Sequence, residues 1–295
     1  MLTREEDFVQ KVFITTNHKS LLCFTNRGKV YNLKVYQIPE AALRSKGKHF
    51  ANLISLEKEE RVVSVLSVPA FKEDAFVLSV TRKGFIKKTD LMAYANVRSN
   101  GIIGLKLDEG DDLITCALCS VGENILIATH LGKAIRFDED DVRTVGRASR
   151  GVRGVRFSEE SDYVVGLEVM SGDDGTILSV CENGYGKRTP LTEYRKQSRG
   201  GKGIYTIKVT ERNGGVVGIC KVGESDHMMV MTSEGKLMRF SVADLGIIGR
   251  HTQGVRLMTL SQSEKVKSIG RVAREAGEEV PTEKVEEATG ETKGE

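Results

Sequence analysis

The sequence predicts an all-β fold: a propeller-like disc of four-stranded antiparallel blades, with five complete repeats and the tail of a sixth. Two observations carry this prediction. A tight turn ending in glycine recurs at intervals of roughly 50 residues, a period typical of propeller blades. A second glycine, flanked by basic residues, follows each turn after about 19 residues. The turn glycines are Gly28, Gly84, Gly132, Gly184 and Gly235, and the second glycines are Gly47, Gly101, Gly151, Gly203 and Gly254.

Each repeat contains four apolar runs of about 4–6 residues, which is the length of short strands. The first two runs flank the glycine turn and are expected to form a hairpin. In Asn26-Arg27-Gly28 the glycine suits the positive φ that such a turn requires. The third run follows the second glycine, and the fourth follows an acidic turn. Helical patterns are limited to single turns expected at residues 138–142 and 242–245.

The two ends of the chain differ from the repeats. Residues 5–13 match the acidic turn and strand that end the later repeats, so we expect the chain to open on the tail of a repeat whose beginning is absent. Residues 275–295 contain eight Glu, two Lys, one Pro and no aromatic residue. This composition predicts a disordered acidic tail after a folded domain of residues 1–274.

The charge is unevenly divided between these two parts. Eight Glu and two Lys give residues 275–295 a net charge of −6, and because the whole chain carries +3, residues 1–274 carry +9. A basic domain favours a polyanionic partner, and an acidic tail can compete with that partner for the same surface.

Several classes of function find no support in the sequence. No apolar run approaches the ~20 residues of a membrane helix, and the charged start lacks a signal peptide, so we expect a cytoplasmic protein without a membrane partner. The five cysteines are irregularly spaced, and in an extended run Cys116 and Cys119 fall on opposite faces, which favours core positions. No nucleotide-binding loop, catalytic triad or set of metal ligands is visible. We therefore expect no catalytic residue, metal or cofactor.

Lysines and arginines recur at matching positions of the repeats, which indicates a basic belt along one rim of a radial array. Two sets of candidate DNA-binding residues follow. After the turn glycines stand Lys29, Lys34, Lys87, Lys88, Lys133, Arg136, Lys187, Arg188, Lys236 and Arg239. Near the second glycines stand Arg44, Lys46, Lys48, Arg98, Arg147, Arg150, Arg153, Arg195, Lys196, Arg199, Lys202, Arg250 and Arg256.

The belt has two interpretations. Glycine loops flanked by basic residues offer backbone N–H groups as well as charge, which suits phosphates and favours a track for double-stranded DNA. The alternative is a protein-interaction propeller whose charges only keep its surface solvated.

Five stretches of the sequence resemble a known family. They lie at residues 18–31, 34–40, 182–188, 207–213 and 249–255, and the likeness extends over residues 4–272. In these stretches the chain is similar to the C-terminal domain of bacterial DNA gyrase A. It fits that family better than the related C-terminal domain of topoisomerase IV.

The resemblance implies a fold and a role. The family fold is a β-pinwheel whose basic rim wraps DNA without sequence preference, which supports ATP-dependent negative supercoiling. The implied partners are DNA, the remainder of gyrase A, and gyrase B, and the implied location is the nucleoid. The catalytic tyrosine and ATPase domains of gyrase are absent from this sequence, so we expect no enzymatic activity from the chain on its own.

One family motif is missing from its usual place. The gyrase box, a glutamine followed by basic residues and glycines, belongs in the first blade and has no counterpart there. The nearest match is Gln197-Ser-Arg-Gly-Gly-Lys-Gly203, with Ser198 where a basic residue is expected. This segment is either a second box-like loop or the local form of the second glycine anchor.

Overall fold

Hairpins closed by glycine turns build the whole architecture. The computed structural model describes residues 15–41, 47–261 and 263–272. Both the partial repeat at residues 5–13 and the acidic tail at residues 275–295 lie outside these ranges. The described residues form five antiparallel sheets that follow one another in a ring, which confirms the predicted all-β, pinwheel-like fold. None of their helical segments is long and apolar enough to cross a bilayer.

Three strands of each blade come from one repeat. They are β1 Ser20–Thr25, β2 Lys29–Lys34 and β3 Val62–Val68 in blade 1; β4 Ala75–Thr81, β5 Phe85–Asp90 and β7 Leu113–Ser120 in blade 2; β8 Asn124–Thr129, β9 Lys133–Asp138 and β11 Val164–Met170 in blade 3; β12 Thr176–Cys181, β13 Tyr185–Pro190 and β15 Val216–Val222 in blade 4; and β16 His227–Thr232, β17 Leu237–Ser241 and β19 Val266–Val272 in blade 5. The third strand of each set is innermost, and successive innermost strands contact each other.

The fourth strand of a blade comes from the next repeat. The two-residue strands β6 Ile102–Ile103, β10 Val152–Arg153, β14 Ile204–Tyr205 and β18 Val255–Arg256 pair with β2, β5, β9 and β13 of the preceding blade. They form the outermost edge of blades 1 to 4. In the described residues, blade 5 has three strands, in the order β17-β16-β19. Each repeat therefore completes the blade before it.

The turn glycines hold this exchanged strand in place. The carbonyl of Gly184 accepts hydrogen bonds from the N–H groups of Leu257 and Met258, at 2.8 and 3.2 Å. Gly132 does the same for Thr206 and Ile207, at 2.8 and 3.3 Å. Gly28 and Gly84 repeat the arrangement with the repeats that follow them. This bond links the turn glycine of one repeat to the residues just after the second glycine of the next repeat.

Short 3-10 turns follow the second strand of each hairpin. They span Val35–Gln37, Leu91–Tyr94, Glu139–Asp141, Leu191–Glu193 and Val242–Asp244, and a further one spans Phe50–Asn52. The single turns expected at residues 138–142 and 242–245 are confirmed. Apolar clusters fill the spaces between adjacent blades. Cys116 and Cys119 belong to two different clusters on opposite faces of β7, so both are core residues as predicted.

Each of the acidic turns carries one buried side chain. Asp111 accepts the N–H groups of Lys83 and Asp112 at 2.9 Å, and Asp162 accepts those of Leu131 and Tyr163 at the same distance. Equivalent buried side chains in the other repeats are Glu60, Asn213 and Glu264. Asp111 and Asp162 thereby join the hairpin turn of their blades to the start of the innermost strand.

Buried lysines and arginines connect neighbouring blades. Lys88 is ion-paired with Glu139 of the next repeat, and Arg188 is ion-paired with Glu224 at 2.9 Å. Arg136 donates to the carbonyls of Leu191 and Tyr194 in the following 3-10 turn, at 3.4 and 3.2 Å. Because these charges are almost fully buried, they act as connectors inside the ring.

Lys87 and Lys187 bind the backbone carbonyl groups of neighbouring loops. The Lys187 ammonium donates to Gly249 and Arg250, at 2.7 and 2.5 Å, and Lys87 donates to Gly104 and Arg147. Both side chains are 1% exposed. Burial therefore lowers the pKa of each ammonium to about 8.

A glycine substitution tests the exchanged-strand bond. A Cβ at Gly184, where φ is +77°, would lie 2.7 Å from the Met258 carbonyl, whereas Gly122 has φ +81° and no atom within 4 Å. Gly184→Ala should reduce the free energy of unfolding by roughly 2–4 kcal/mol, and Gly122→Ala by about 1 kcal/mol. Chemical denaturation measures both values. Equal losses in the two variants would contradict this role of Gly184.

The buried lysines predict a pH dependence of stability. Between pH 8 and 9.5 the unfolded chain binds more protons at Lys87 and Lys187 than the folded chain does, since their pKa values fall to about 8 on folding. Stability should therefore rise with pH in this window, by about 1.5 kcal/mol per lysine. Denaturation experiments at pH 8 and at pH 9.5 measure this rise in the free energy of unfolding. Lys187→Met should lower the rise by the share of one lysine, whereas the control Lys72→Met, at an exposed position, should leave it unchanged. A wild-type pH profile in Lys187→Met would refute the assignment.

Candidate nucleic-acid interface

The basic residues near the second glycines lie on the perimeter of the disc. They occupy β10, β18 and the loops that precede the short strands, and these strands are the outermost of their blades. The exposed members of the candidate set are Lys48, Arg98, Arg150, Arg195, Lys196, Arg199, Lys202, Lys236, Arg239 and Arg256. Partly buried ones are Lys29, Lys34, Lys133, Arg147, Arg153 and Arg250. Arg44 and Lys46 lie outside the described residues.

The sequence predicts an exposed belt, but five of its candidate residues are buried. Lys87, Lys88, Arg136, Lys187 and Arg188 are buried between blades, where they bind carbonyl and carboxylate groups. The reason is their distance from the turn glycine: three or four residues into the strand, a side chain points at a neighbouring blade.

The sequence contains a signal for this burial. At the repeat position of Lys87 and Lys187, other repeats carry Tyr31 and Ile135, which are buried in apolar clusters. A position that is apolar in some repeats and basic in others indicates a buried site. A buried site that suits an apolar side chain also accepts a basic one when a partner for the charge lies nearby.

Aromatic residues on the outer edge were not among the candidates predicted from the sequence. In blade 2 the guanidinium of Arg153 lies 4.0 Å from the centre of the Phe85 ring, its partner across the strand pair β5–β10. In blade 3 the Lys133 ammonium lies 5.4 Å from the ring of Tyr205, again a cross-strand partner. These distances are those of cation–π contacts. The sequence offers one signal for these contacts: the residue directly after the turn glycine is Lys in some repeats and aromatic in others.

Blade 4 carries the most developed of these pairs. The Tyr185 hydroxyl accepts hydrogen bonds from the Arg212 Nε, at 3.2 Å, and from an Arg256 terminal nitrogen, at 3.0 Å. The two guanidinium groups also lie 4.9 and 5.6 Å from the ring centre. These hydrogen bonds lower the pKa of the Tyr185 hydroxyl, because they favour the phenolate form. Arg212 was not among the candidates from the sequence.

Other perimeter cations are oriented by backbone carbonyls. Arg153 donates to the Lys83 carbonyl at 2.7 Å, and Arg199 donates to those of Asp141 and Arg153 at 2.7 and 3.2 Å. Arg250 donates to the Tyr205 carbonyl at 3.0 Å. A carbonyl fixes the side chain and leaves its positive charge uncancelled, so Arg153 and Arg199 stay available to an anion, whereas Arg250 also pairs with Glu193 at 3.6 Å.

The box-like loop at residues 197–203 occupies the place of a second glycine anchor. It leads into β14 just as residues 98–101 lead into β6. The N–H of Gly200 donates to the Gly154 carbonyl, at 2.6 Å, and the Gly201 carbonyl accepts the N–H of Arg156, at 2.9 Å. By its position in the fold the segment corresponds to the second glycine anchors of the other repeats. Its glycines allow close packing against the preceding repeat, and Lys202 remains exposed.

The described residues hold no cluster of three or more His, Cys, Asp or Glu side chains suited to a metal ion.

Comparison with known proteins identifies the repeats. A family model described as the DNA gyrase C-terminal domain, beta-propeller, matches residues 19–69, 75–120, 123–169, 176–219 and 226–273. These five matches coincide with the five sequence repeats. The chain is 43% identical to DNA gyrase A of Escherichia coli K12 over 276 residues, and 41% identical to that of Staphylococcus aureus MRSA252 over 281 residues.

The chain spans about a third of the length of these relatives. The two alignments cover 94% and 95% of this chain, but only 31% and 32% of the relatives. Among solved structures, a DNA gyrase A C-terminal domain superposes with a TM-score of 0.78 at 24% identity, covering 88% of this chain and 84% of the other. A topoisomerase IV C-terminal domain superposes with the same score at 27% identity, covering 87% and 80%. The chain therefore belongs to the DNA gyrase C-terminal domain family.

Proposed function

We propose that this chain binds duplex DNA without sequence preference along its perimeter and bends the duplex around the disc. The observation that carries the proposal is the set of perimeter cations without a carboxylate partner among the described residues. It comprises Lys34, Lys48, Arg98, Lys133, Arg147, Arg153, Arg195, Arg199, Lys202, Arg239 and Arg256. A phosphate backbone is the polyanion that such a series of separate positive groups fits best.

Bending is energetically feasible on this surface. A disc of this size gives a DNA path of radius ~35 Å, and a half-turn at that radius costs on the order of 13 kcal/mol. Each charge-assisted hydrogen bond contributes roughly 1.5–3 kcal/mol, so about 5–9 contacts offset the cost. The perimeter cations named above exceed this requirement.

The proposed cellular role follows from the relatives. As part of a gyrase, with the remainder of gyrase A and with gyrase B, the domain would present a bent DNA segment for strand passage and so support negative supercoiling. Strand cleavage and ATP hydrolysis would belong to the other parts of that enzyme, and the location would be the nucleoid in the cytoplasm.

DNA binding should be strongly salt-dependent. With six or more phosphate contacts, the affinity of the chain for a duplex of ~40 base pairs should fall at least about 1000-fold between 50 and 200 mM salt. Fluorescence anisotropy with two unrelated sequences measures both the slope and the lack of sequence preference. A salt-independent affinity, or no binding at 50 mM salt, would refute the proposed function.

Bending around the disc should change DNA topology. When nicked plasmid is sealed by ligase in the presence of saturating protein, the linking number should shift relative to plasmid sealed alone. Gel electrophoresis of the topoisomers detects the shift. Tight binding with an unchanged distribution would leave a DNA-binding domain that does not wrap.

A further inference from the structure

The cations that follow the turn glycines have different partners in different blades. In blade 1, Lys29 pairs with Glu57 at 2.5 Å. In blade 5, Lys236 pairs with Glu264 at 2.8 Å and with Glu234 at 3.3 Å. At both ends of the array, the charge at this position is cancelled by carboxylates of the same repeat.

The three central blades replace these ion pairs with cation–aromatic pairs. Arg153 lies against Phe85 in blade 2, Lys133 against Tyr205 in blade 3, and Arg256 with Arg212 against Tyr185 in blade 4. Within the described part of the chain, no carboxylate lies within salt-bridge distance of these four cations. Arg150 also lies near Phe85, but it pairs with Asp108 at 2.5 Å.

The two kinds of partner have opposite consequences for binding an anion. A carboxylate partner cancels the charge, and a phosphate must displace it before a contact forms. An aromatic ring restricts the side chain but leaves the full positive charge, so the contact forms without that exchange. Of these two kinds, only the cations that lie against aromatic rings can release a counterion from DNA without first breaking an ion pair.

We propose that the principal phosphate contacts lie on the arc of blades 2, 3 and 4, where they are made by the cation–aromatic pairs, and that the ion-paired Lys29 and Lys236 of blades 1 and 5 make none. The inference rests on the proposed DNA binding and specifies where on the disc it occurs. Phe85, Tyr185 and Tyr205 act as positioning residues for the cations above them.

Matched charge removals test the arc. Arg153→Gln and Arg256→Gln remove central cations, while Lys29→Gln and Lys236→Gln remove cations at the same perimeter in the terminal blades. Binding of the full chain to a ~40 base-pair duplex is measured from 50 to 200 mM salt. Each central variant should lower the slope of log affinity against log salt by about 0.9. Each terminal variant should leave the slope within about 0.3 of wild type.

The possible failures are distinguishable. Wild-type chain that does not bind overturns the proposed function and the arc together. Wild-type binding with equal slope changes in all four variants overturns the arc alone.

The aromatic positions need a separate test, because their charge is zero. Phe85→Leu should weaken binding several-fold with little change in the salt slope, since Arg153 keeps its charge but loses its orientation. Phe85→Tyr keeps a ring and should restore the wild-type affinity. Circular dichroism confirms that each variant is folded. Wild-type affinity in Phe85→Leu would overturn the positioning role.

Discussion

The structure depends on one repeated hydrogen-bond arrangement, in which the carbonyl of a turn glycine accepts two N–H groups from the following repeat. The glycine needs its positive φ to make the turn, and it needs the missing side chain because the next repeat approaches at that point. The bond places the short strand at the outer edge. It therefore also places the basic loop that precedes this strand, and the perimeter charges inherit their spacing from it.

The basic residues of the repeats divide into three groups by their surroundings. Those in the middle of the second strand are buried and connect blades, and Lys88 and Lys187 are examples. A second group, such as Lys29 and Lys236, is neutralised by nearby carboxylates. A third group has no carboxylate partner among the described residues and keeps its charge, and carbonyls or aromatic rings orient some of its members, such as Arg153 and Arg199. Only this third group combines exposure with a free positive charge, so a count of lysines and arginines overstates the interface.

Much of the fold could be predicted from the sequence, because glycine turns and apolar runs at a fixed period depend on local chemistry. The hairpins, the single 3-10 turns and the core positions of Cys116 and Cys119 follow from such patterns. The exchange of the fourth strand could not be predicted, because the sequence pattern of a two-residue strand is compatible with pairing to either neighbouring blade. The burial of Lys87 and the ring contacts of Arg153 also depend on distances across blades. Periodicity located the perimeter, but contacts between repeats decide which of its charges are available.

The exchanged strand has a consequence for modularity. In blades 1 to 4 no single repeat contains all the strands of a blade, so a boundary drawn between two of these sequence repeats cuts through a sheet. Separating blade 3 from blade 4, for example, takes β14 away from β9 and exposes the N–H and C=O groups of that edge. The array should therefore resist being divided into autonomous units by recombination or limited proteolysis, and it should unfold as an interlocked chain rather than blade by blade.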